Sequence, residues 1–381
     1  MAALRDEWHD LLALSGAAEV FQTHEWMSTW WEVFGDQDRA LFIVTVRQGG
    51  RLVGLAPFLI RQVGGWGRAR LRRLEFIGTG EPEEDEVCSD FLDIVATPAH
   101  RQRVSALVWR QLVAARDEWD EAMFSHVLDR SLLNEQLRPL AHGSARTTRS
   151  ASQSERYFID LSTGTFADYL ARLSKKRRKR IAYTQRRLEK EGALTETRLG
   201  SISEVPAFLA EVGRLNRLRR AAQNKSSAFA SPRFCRFHQL VAPRLWERGW
   251  LDMRLWWRQG RCVAALYNVV FDGTIYYYQS GFDTAAFGNL SPGLVTLMKA
   301  IRWGFASGCR RFDFQVGGKG SYKEDYGCET EPTQRMVLYN DSAAAHVMRS
   351  ARDLRQAVRT LRALYTERRD ATSRVVDGEG R

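Results

Sequence analysis

The sequence predicts an α/β protein made of two similar units in tandem, each a mixed, mostly antiparallel sheet flanked by helices. Three observations carry this reading. Strand patterns at 250–257, 261–271 and 274–280 are joined by Gln259-Gly260 and Asp272-Gly273, dipeptides suited to tight hairpins. That meander runs into a strand, loop, helix, strand succession over 275–316, and the same order recurs at similar spacing over 90–127, which points to an internal duplication. The 381 residues, 44% hydrophobic and 11% aromatic, exceed one ordinary domain and supply real cores. The expected division is 1–150 for the first unit, 151–345 for the second, and 346–381 for a basic helix and tail.

In chain order, residues 4–14 and 24–34 read as helices, the second capped by Thr23 and carrying Trp26, Trp30 and Trp31 as core residues. Strands follow at 41–47 and 52–60 around Gly49-Gly50, and at 71–77. The acidic run Glu81–Glu86 reads as a solvated loop, with a basic segment of the same chain as its alternative partner. A strand at 90–95, a helix at 100–115 with Val104, Leu107, Val108 and Leu112 on one face, and a strand at 121–127 complete the first unit. Its turn, Ala96-Thr-Pro-Ala-His100, lacks glycine, so this unit is expected to have no cofactor site of its own. Small polar residues without periodicity at 142–155 read as a linker.

The second unit opens with a strand at 157–161, a helix start at Thr163 or Thr165, and six consecutive cations, Lys175 to Arg180. Such charges repel one another unless solvent or an anion screens them, so the run is either a solvated helix face or a docking surface for a phosphate-rich partner, RNA or an anionic membrane. Helices at 203–221 and 231–248 precede the meander. Beyond 316 come a short turn and helix, a strand at 334–340 and a long basic helix over 342–368.

Charge and cysteine content narrow the class. Lys and Arg outnumber Asp and Glu by 57 to 45, giving +12 and a pI near 9.7, which favours anionic partners without choosing among them. Five dispersed cysteines without a C-x-x-C motif indicate neither a zinc site nor a disulfide framework, and no metal is expected. A mixed-charge start and the lack of a run of about 20 apolar residues lead us to expect a cytoplasmic protein, with peripheral membrane contact as its closest approach to a bilayer.

The chemistry concentrates between Tyr276 and Gly317. After the strand, a glycine-bearing loop ends at Ser291-Pro292-Gly293, where Ser291 suits the N-cap and Pro292 the first helical position. Leu294, Met298, Ile301 and Phe305 then repeat at helical spacing. A helix starting there turns unpaired N–H groups toward one spot, a natural anion site, though an ordinary βαβ turn has the same pattern. Neither a dinucleotide fingerprint nor a P-loop is present.

Tyr278-Gln-Ser-Gly-Phe-Asp283, Leu290-Ser-Pro-Gly-Leu294, Phe312-Asp-Phe314 with Gly317, Tyr322-Lys323, the basic run and Phe21-Gln-Thr-His-Glu-Trp26 together resemble the CelD/BcsL-type branch of GNAT acyltransferases over most of 20–340. That branch is linked with cellulose and exopolysaccharide loci and related to the Fem-type aminoacyltransferases. The resemblance implies tandem GNAT-like acyltransferase domains. It further implies a second unit that moves an acyl group from acetyl-CoA, or another acyl-CoA, to an amine or hydroxyl of a small molecule or saccharide. An aminoacyl-tRNA donor, or a non-catalytic scaffold on an anionic polymer, is the alternative. Where typical members carry a glycine-rich pyrophosphate turn, this chain reads Asn289-Leu-Ser-Pro-Gly293, one glycine giving way to Ser-Pro.

The residues so implied for cofactor binding are Gly281, Asp283, Asn289, Ser291, Pro292, Gly293 and Gly317, and those for catalysis Asp313, Tyr322 and Lys323. Asp313 would be a base, or else a structural carboxylate pairing Arg310 or Arg311. Tyr322 would protonate the departing thiolate, and Lys323 would bind phosphate or an oxyanion. Asp283 reads equally as an Asx turn.

Overall fold

The computed structural model describes residues 1–351 except 17–18, 37, 65–69, 144–147, 191–193, 288–289 and 291. The helices are α1 (Arg5–Ser15), α2 (His24–Phe34), α3 (Arg101–Ala114), α4 (Arg138–Gly143), α5 (Phe166–Arg172), α6 (Lys175–Lys190), α7 (Val205–Ala221), α8 (Pro232–Glu247) and α9 (Pro292–Ala306). The strands are β1 (Arg39–Gln48), β2 (Arg51–Gly64), β3 (Arg70–Phe76), β4 (Val95–Ala96), β5 (Glu121–Leu128), β6 (Thr148–Asp160), β7 (Thr195–Arg198), β8 (Leu251–Arg258), β9 (Arg261–Phe271), β10 (Thr274–Phe282), β11 (Arg311–Gly317) and β12 (Glu329–Tyr339). Most of the long basic helix expected over 342–368 lies outside the described residues, which show helix at 343–351.

One 12-stranded sheet runs through both units in the order β1-β2-β3-β5-β12-β6-β11-β10-β9-β8-β7, with β4 beside β2. The expected hairpins form. Gln259-Gly260 and Asp272-Gly273 both hold two consecutive positive φ angles, 50° and 75° and then 43° and 68°, the turn that matches strand twist. The duplication is visible in the pairing. β3 and β5 are parallel neighbours joined through α3, as β10 and β11 are joined through α9. In the first unit, however, the entering strand is β3 rather than the stretch 90–95. Only Val95–Ala96 is extended there, because Cys88 and Phe91 turn the chain with φ of 54° and 61°.

The stretch read as a linker is in fact mostly β6, at the centre of the sheet. Its Ser- and Thr-rich start lacks alternation because the neighbours define it as a strand: β12 pairs along it from Leu338↔Thr148 to Glu329↔Phe158, and β11 takes its other edge. The two units thereby exchange strands. β6, which follows the first unit, pairs with β11 of the second, and β12, which follows the second, pairs with β5 of the first.

The cores follow the sheet's two faces. On one, Ile275, Phe312, Phe314 and Ile159 pack under Leu294, Leu297, Met298 and Ile301 of α9. On the other, Tyr276 and Tyr278 join Trp26, Phe21 and Phe237 in a core that spans both units, with Trp26 4.9 Å from Phe237. Trp26 and Trp30 are fully buried, and Trp31 packs at the rim of that core. The acidic loop is less solvated than its composition suggests. Glu81 accepts hydrogen bonds from the Trp30 indole (3.1 Å) and Val87 N–H (2.9 Å), and Asp85 accepts one from Ser231, the cap of α8.

Candidate active site

β10 and β11 pair at only three positions, Thr274↔Arg311, Ile275↔Phe312 and Tyr276↔Asp313, and then part. Each strand carries a register shift where they separate, between Tyr277 and Gln279 on β10 and between Asp313 and Val316 on β11. Gln315, at φ 61°, spans the fork by donating from Nε2 to the Tyr277 carbonyl at 3.2 Å. A fork between parallel strands exposes backbone groups that a ligand can use, since neither strand satisfies the other.

A cleft of about 930 Å³ opens beside the fork on the α9 side, lined by Tyr277, Phe282, Tyr322 and Tyr326, by Pro292, Gly293, Leu294 and Leu297 of α9, and by α6. The cationic run therefore forms a wall of this cleft, supplying Lys176, Arg177, Lys179 and Arg180, with Arg219 of α7 nearby. Asp325 is the one carboxylate in that lining, and Arg177 holds it. Arg177 also lies over the Tyr326 ring at 4.9 Å, while Arg219 donates to Ser280 Oγ at 2.7 Å. Lys176 and Lys179 are exposed and make no hydrogen bond or ion pair among the described residues. The helix start of α9 and these lysines together give an electropositive mouth above an aromatic floor.

Tyr322 lines the cleft at 50% exposure, and burial raises its hydroxyl pKa, so it keeps its proton at neutral pH. Pro292 and Gly293 line the cleft; a Cβ on Gly293 would come within 2.7 Å of the Phe282 ring. Asn289 and Ser291 lie outside the described residues. Asp283 forms the Asx turn, accepting from Ala285 N–H at 3.0 Å, and pairs Arg261 at 2.6 Å. Gly281 and Gly317 answer to packing. A Cβ on Gly281 would lie 2.3 Å from the Asn216 nitrogen of α7, and one on Gly317 would lie 3.0 Å from the Tyr157 ring.

The structure does not bring Asp313 to the cleft. Phe312 and Phe314 face α9, so the alternation of β11 puts Asp313 on the opposite face, fully buried. There it accepts from Arg156 Nε at 2.6 Å, and Arg156 also donates to Glu19 at 2.6 and 3.0 Å. Burial raises the pKa of Asp313 against the pull of Arg156. Burial also works against ionisation of Glu19, but Arg156 and the Tyr276 hydroxyl outweigh it and hold the carboxyl below its usual range. Asp313 is thus the structural carboxylate of the two readings, with Arg156 as its partner in place of Arg310 or Arg311. Lys323 is likewise engaged: Nζ donates to the carbonyls of Phe314 (2.6 Å) and Val316, closing the end of β11, and it is 9% exposed.

Sequence reasoning assigned no cleft role to Lys176, Lys179, Tyr183 or Phe282. The basic run was conspicuous, but only the packing of α6 beside α9 shows that it faces the loop. Among the described residues no group of three or more His, Cys, Asp or Glu is placed to hold a metal, and no helix is long and apolar enough to cross a membrane.

Residues 175–324, which contain the fork, the basic wall and Tyr322, match the family model of the acetyltransferase (GNAT) domain. The match covers less than half of the chain and falls within the second unit. Among solved structures, FemX superposes with a TM-score of 0.60 at 10% identity, covering 88% of this chain and 96% of its own. L-PGS from Bacillus licheniformis gives 0.53 at 15% identity, covering 91% and 96%. The C-terminal domain of a putative lysylphosphatidylglycerol synthetase from Agrobacterium fabrum gives 0.51 at 13%, covering 93% and 97%. At these identities the likeness is one of fold, and it extends over both units. A comparison with curated protein sequences finds no match.

Proposed function

We propose that the protein is an acyltransferase whose donor is an acyl-CoA, acetyl-CoA in the simplest case, bound in the cleft beside the β10–β11 fork. The observation that carries the reading is the coincidence, inside the matched GNAT segment, of a strand fork, a helix start and a wall of cations. Lys176, Lys179 and the start of α9 are suited to the phosphates, and the aromatic floor to the pantetheine arm. The acyl carbonyl would then sit at the fork, where backbone N–H groups left by the parting strands can polarise it.

The acceptor's amine or hydroxyl attacks the thioester carbonyl, the C–S bond breaks, and the thiolate takes a proton from Tyr322, the hydroxyl that lines the cleft beside the fork. Asp90, like Asp313, is buried and outside the cleft lining, so neither reaches the donor directly and the acceptor's proton would leave through solvent or the acceptor's own groups. Asp90 is supplied by the first unit and accepts from Val316 N–H at 3.4 Å at the end of β11. Burial lifts its pKa to about 7. A saccharide or its precursor in exopolysaccharide synthesis is the acceptor class that the resemblance to CelD/BcsL-type proteins supports.

A second reading replaces the donor by aminoacyl-tRNA. The superposition with FemX over 88% of the chain and the cationic wall favour it. Native mass spectrometry of freshly purified protein separates the two: a retained CoA species, with a thermal midpoint that rises with acetyl-CoA concentration, supports the first. No response to CoA esters together with salt-sensitive tRNA binding supports the second.

A further inference from the structure

On the sheet face opposite the cleft lies a second cavity, about 460 Å³, that the acyl-transfer reading does not use. Its floor is read from strand register: Arg311 lies opposite Asp160 and beside Thr274, while Tyr276 and Phe158 both neighbour Asp313. The rim adds Gly16, Glu19, Arg130, Ser162, Asp272, Arg310 and Glu329.

Its cations are not equivalent. Arg156 is saturated by Glu19 and Asp313. Arg130 donates to Glu331 at 2.6 Å, and Arg310 to the Asp272 carbonyl at 2.7 Å. Arg311 is the one of the four whose side chain makes no hydrogen bond or ion pair among the described residues; its backbone N–H donates to the Gly273 carbonyl at 3.3 Å. Its guanidinium carbon lies over the Phe158 ring, 4.3 Å from the centroid, and the side chain is half-buried. Burial, together with the nearby charge of Arg156, disfavours its cationic form. Of the acids in the lining, Asp160 accepts from Ser162 N–H at 2.9 Å and from the Ser162 and Thr163 hydroxyls, Glu19 accepts from Arg156 and Tyr276, and Asp272 pairs Arg310 at 3.1 Å, while Glu329, in register opposite Phe158, is exposed to solvent. A cation held out of water without a partner is unfavourable unless something brings the missing charge. The contact with Phe158 restrains the guanidinium, whose N–H groups suit a two-pronged oxyanion.

We propose that this cavity is a binding site for a small polar molecule carrying an oxyanion, phosphate or carboxylate, that pairs with Arg311. The site is independent of the donor cleft and lies on the other face of the sheet.

The test is a thermal-shift titration with inorganic phosphate and, separately, with acetate, at constant ionic strength, on three proteins: unsubstituted, Arg311→Met, and Lys176→Ala/Lys179→Ala. The expected result is a rise in midpoint that Arg311→Met loses, at least tenfold in apparent affinity, and the lysine variant keeps. A phosphate response stronger than the acetate response assigns a phosphorylated ligand, and an equal or stronger acetate response a carboxylated one. The unliganded midpoint of Arg311→Met should equal or exceed that of the unsubstituted protein, because an unpaired cation has been removed. A fall in that midpoint would show that Arg311 is structural, and a response lost in the lysine variant but kept in Arg311→Met would assign the anion to the cleft. Either result, or no response to either anion, overturns the proposal.

Discussion

The double substitution Lys176→Ala/Lys179→Ala separates binding from folding unusually well. Both side chains are exposed on the first turns of α6 and have no ion pair to lose, so the change should move stability by no more than about 0.5 kcal/mol. Their value lies with an incoming phosphate. An exposed charge-assisted contact contributes about 1 kcal/mol, so two give roughly 2 kcal/mol, a weakening of about 30-fold in Kd for CoA. Calorimetric titration with CoA at low salt reads this directly, and a second titration at higher salt should shrink the gap, because screening already weakens these contacts in the unsubstituted protein. Lys225→Ala, a cation outside the cleft lining, should bind as the unsubstituted protein does. A Kd that stays within twofold in the double variant would refute the assignment of the basic wall to the donor's phosphates.

Other outcomes follow from the same geometry. Tyr322→Phe should leave CoA affinity within twofold and lower acetyl transfer at least tenfold; equal rates in a free-thiol assay would remove Tyr322 from the mechanism. Arg156→Met leaves Glu19 and Asp313 buried without their cation and should cost about 3–5 kcal/mol in urea unfolding. Because both carboxyls would then favour protonation, that deficit should shrink as pH falls from 7.5 to 5.5, and a deficit independent of pH would contradict the triad. Stability of the unsubstituted protein should rise as pH falls from 8 through 7. Glu81 and Asp90, both lifted to about 7 by burial, bind protons more tightly when folded. At lower pH His126 and His238, pushed down to about 4 and about 3 by burial, resist protons that the unfolded chain accepts, which offsets that gain. Asp90→Asn should flatten the rise in a urea series across pH.

Much of the fold was legible in local pattern. The hairpin dipeptides placed β8, β9 and β10 almost to the residue, and Leu294, Met298 and Ile301 marked the buried face of α9. What local pattern missed depends on distant neighbours. β6 has no alternation of its own to show, since β11 and β12 on its two edges define it. The same limit applied at the site. Alternation along Phe312-Asp313-Phe314 correctly separated the aspartate from its aromatic flanks, but which face held the cleft depended on where α9 crossed the sheet. Lys323 looked like a phosphate ligand because the sequence does not reveal that three carbonyls at the end of β11 lie within reach of its amine.

Strand exchange implies that neither unit completes its sheet alone. A truncation ending at residue 143 leaves the β5 edge that β12 covers exposed, and it should lack the cooperative unfolding transition of the full chain.

The central claim concerns where a donor sits, and a crystal structure with acetyl-CoA tests it most directly. The pyrophosphate is predicted between Lys176, Lys179 and the first turn of α9, with the thioester at the β10–β11 fork within reach of Tyr322. Density for the cofactor on the Arg311 face, or a cleft that stays empty while acetyl-CoA is in excess, would contradict it.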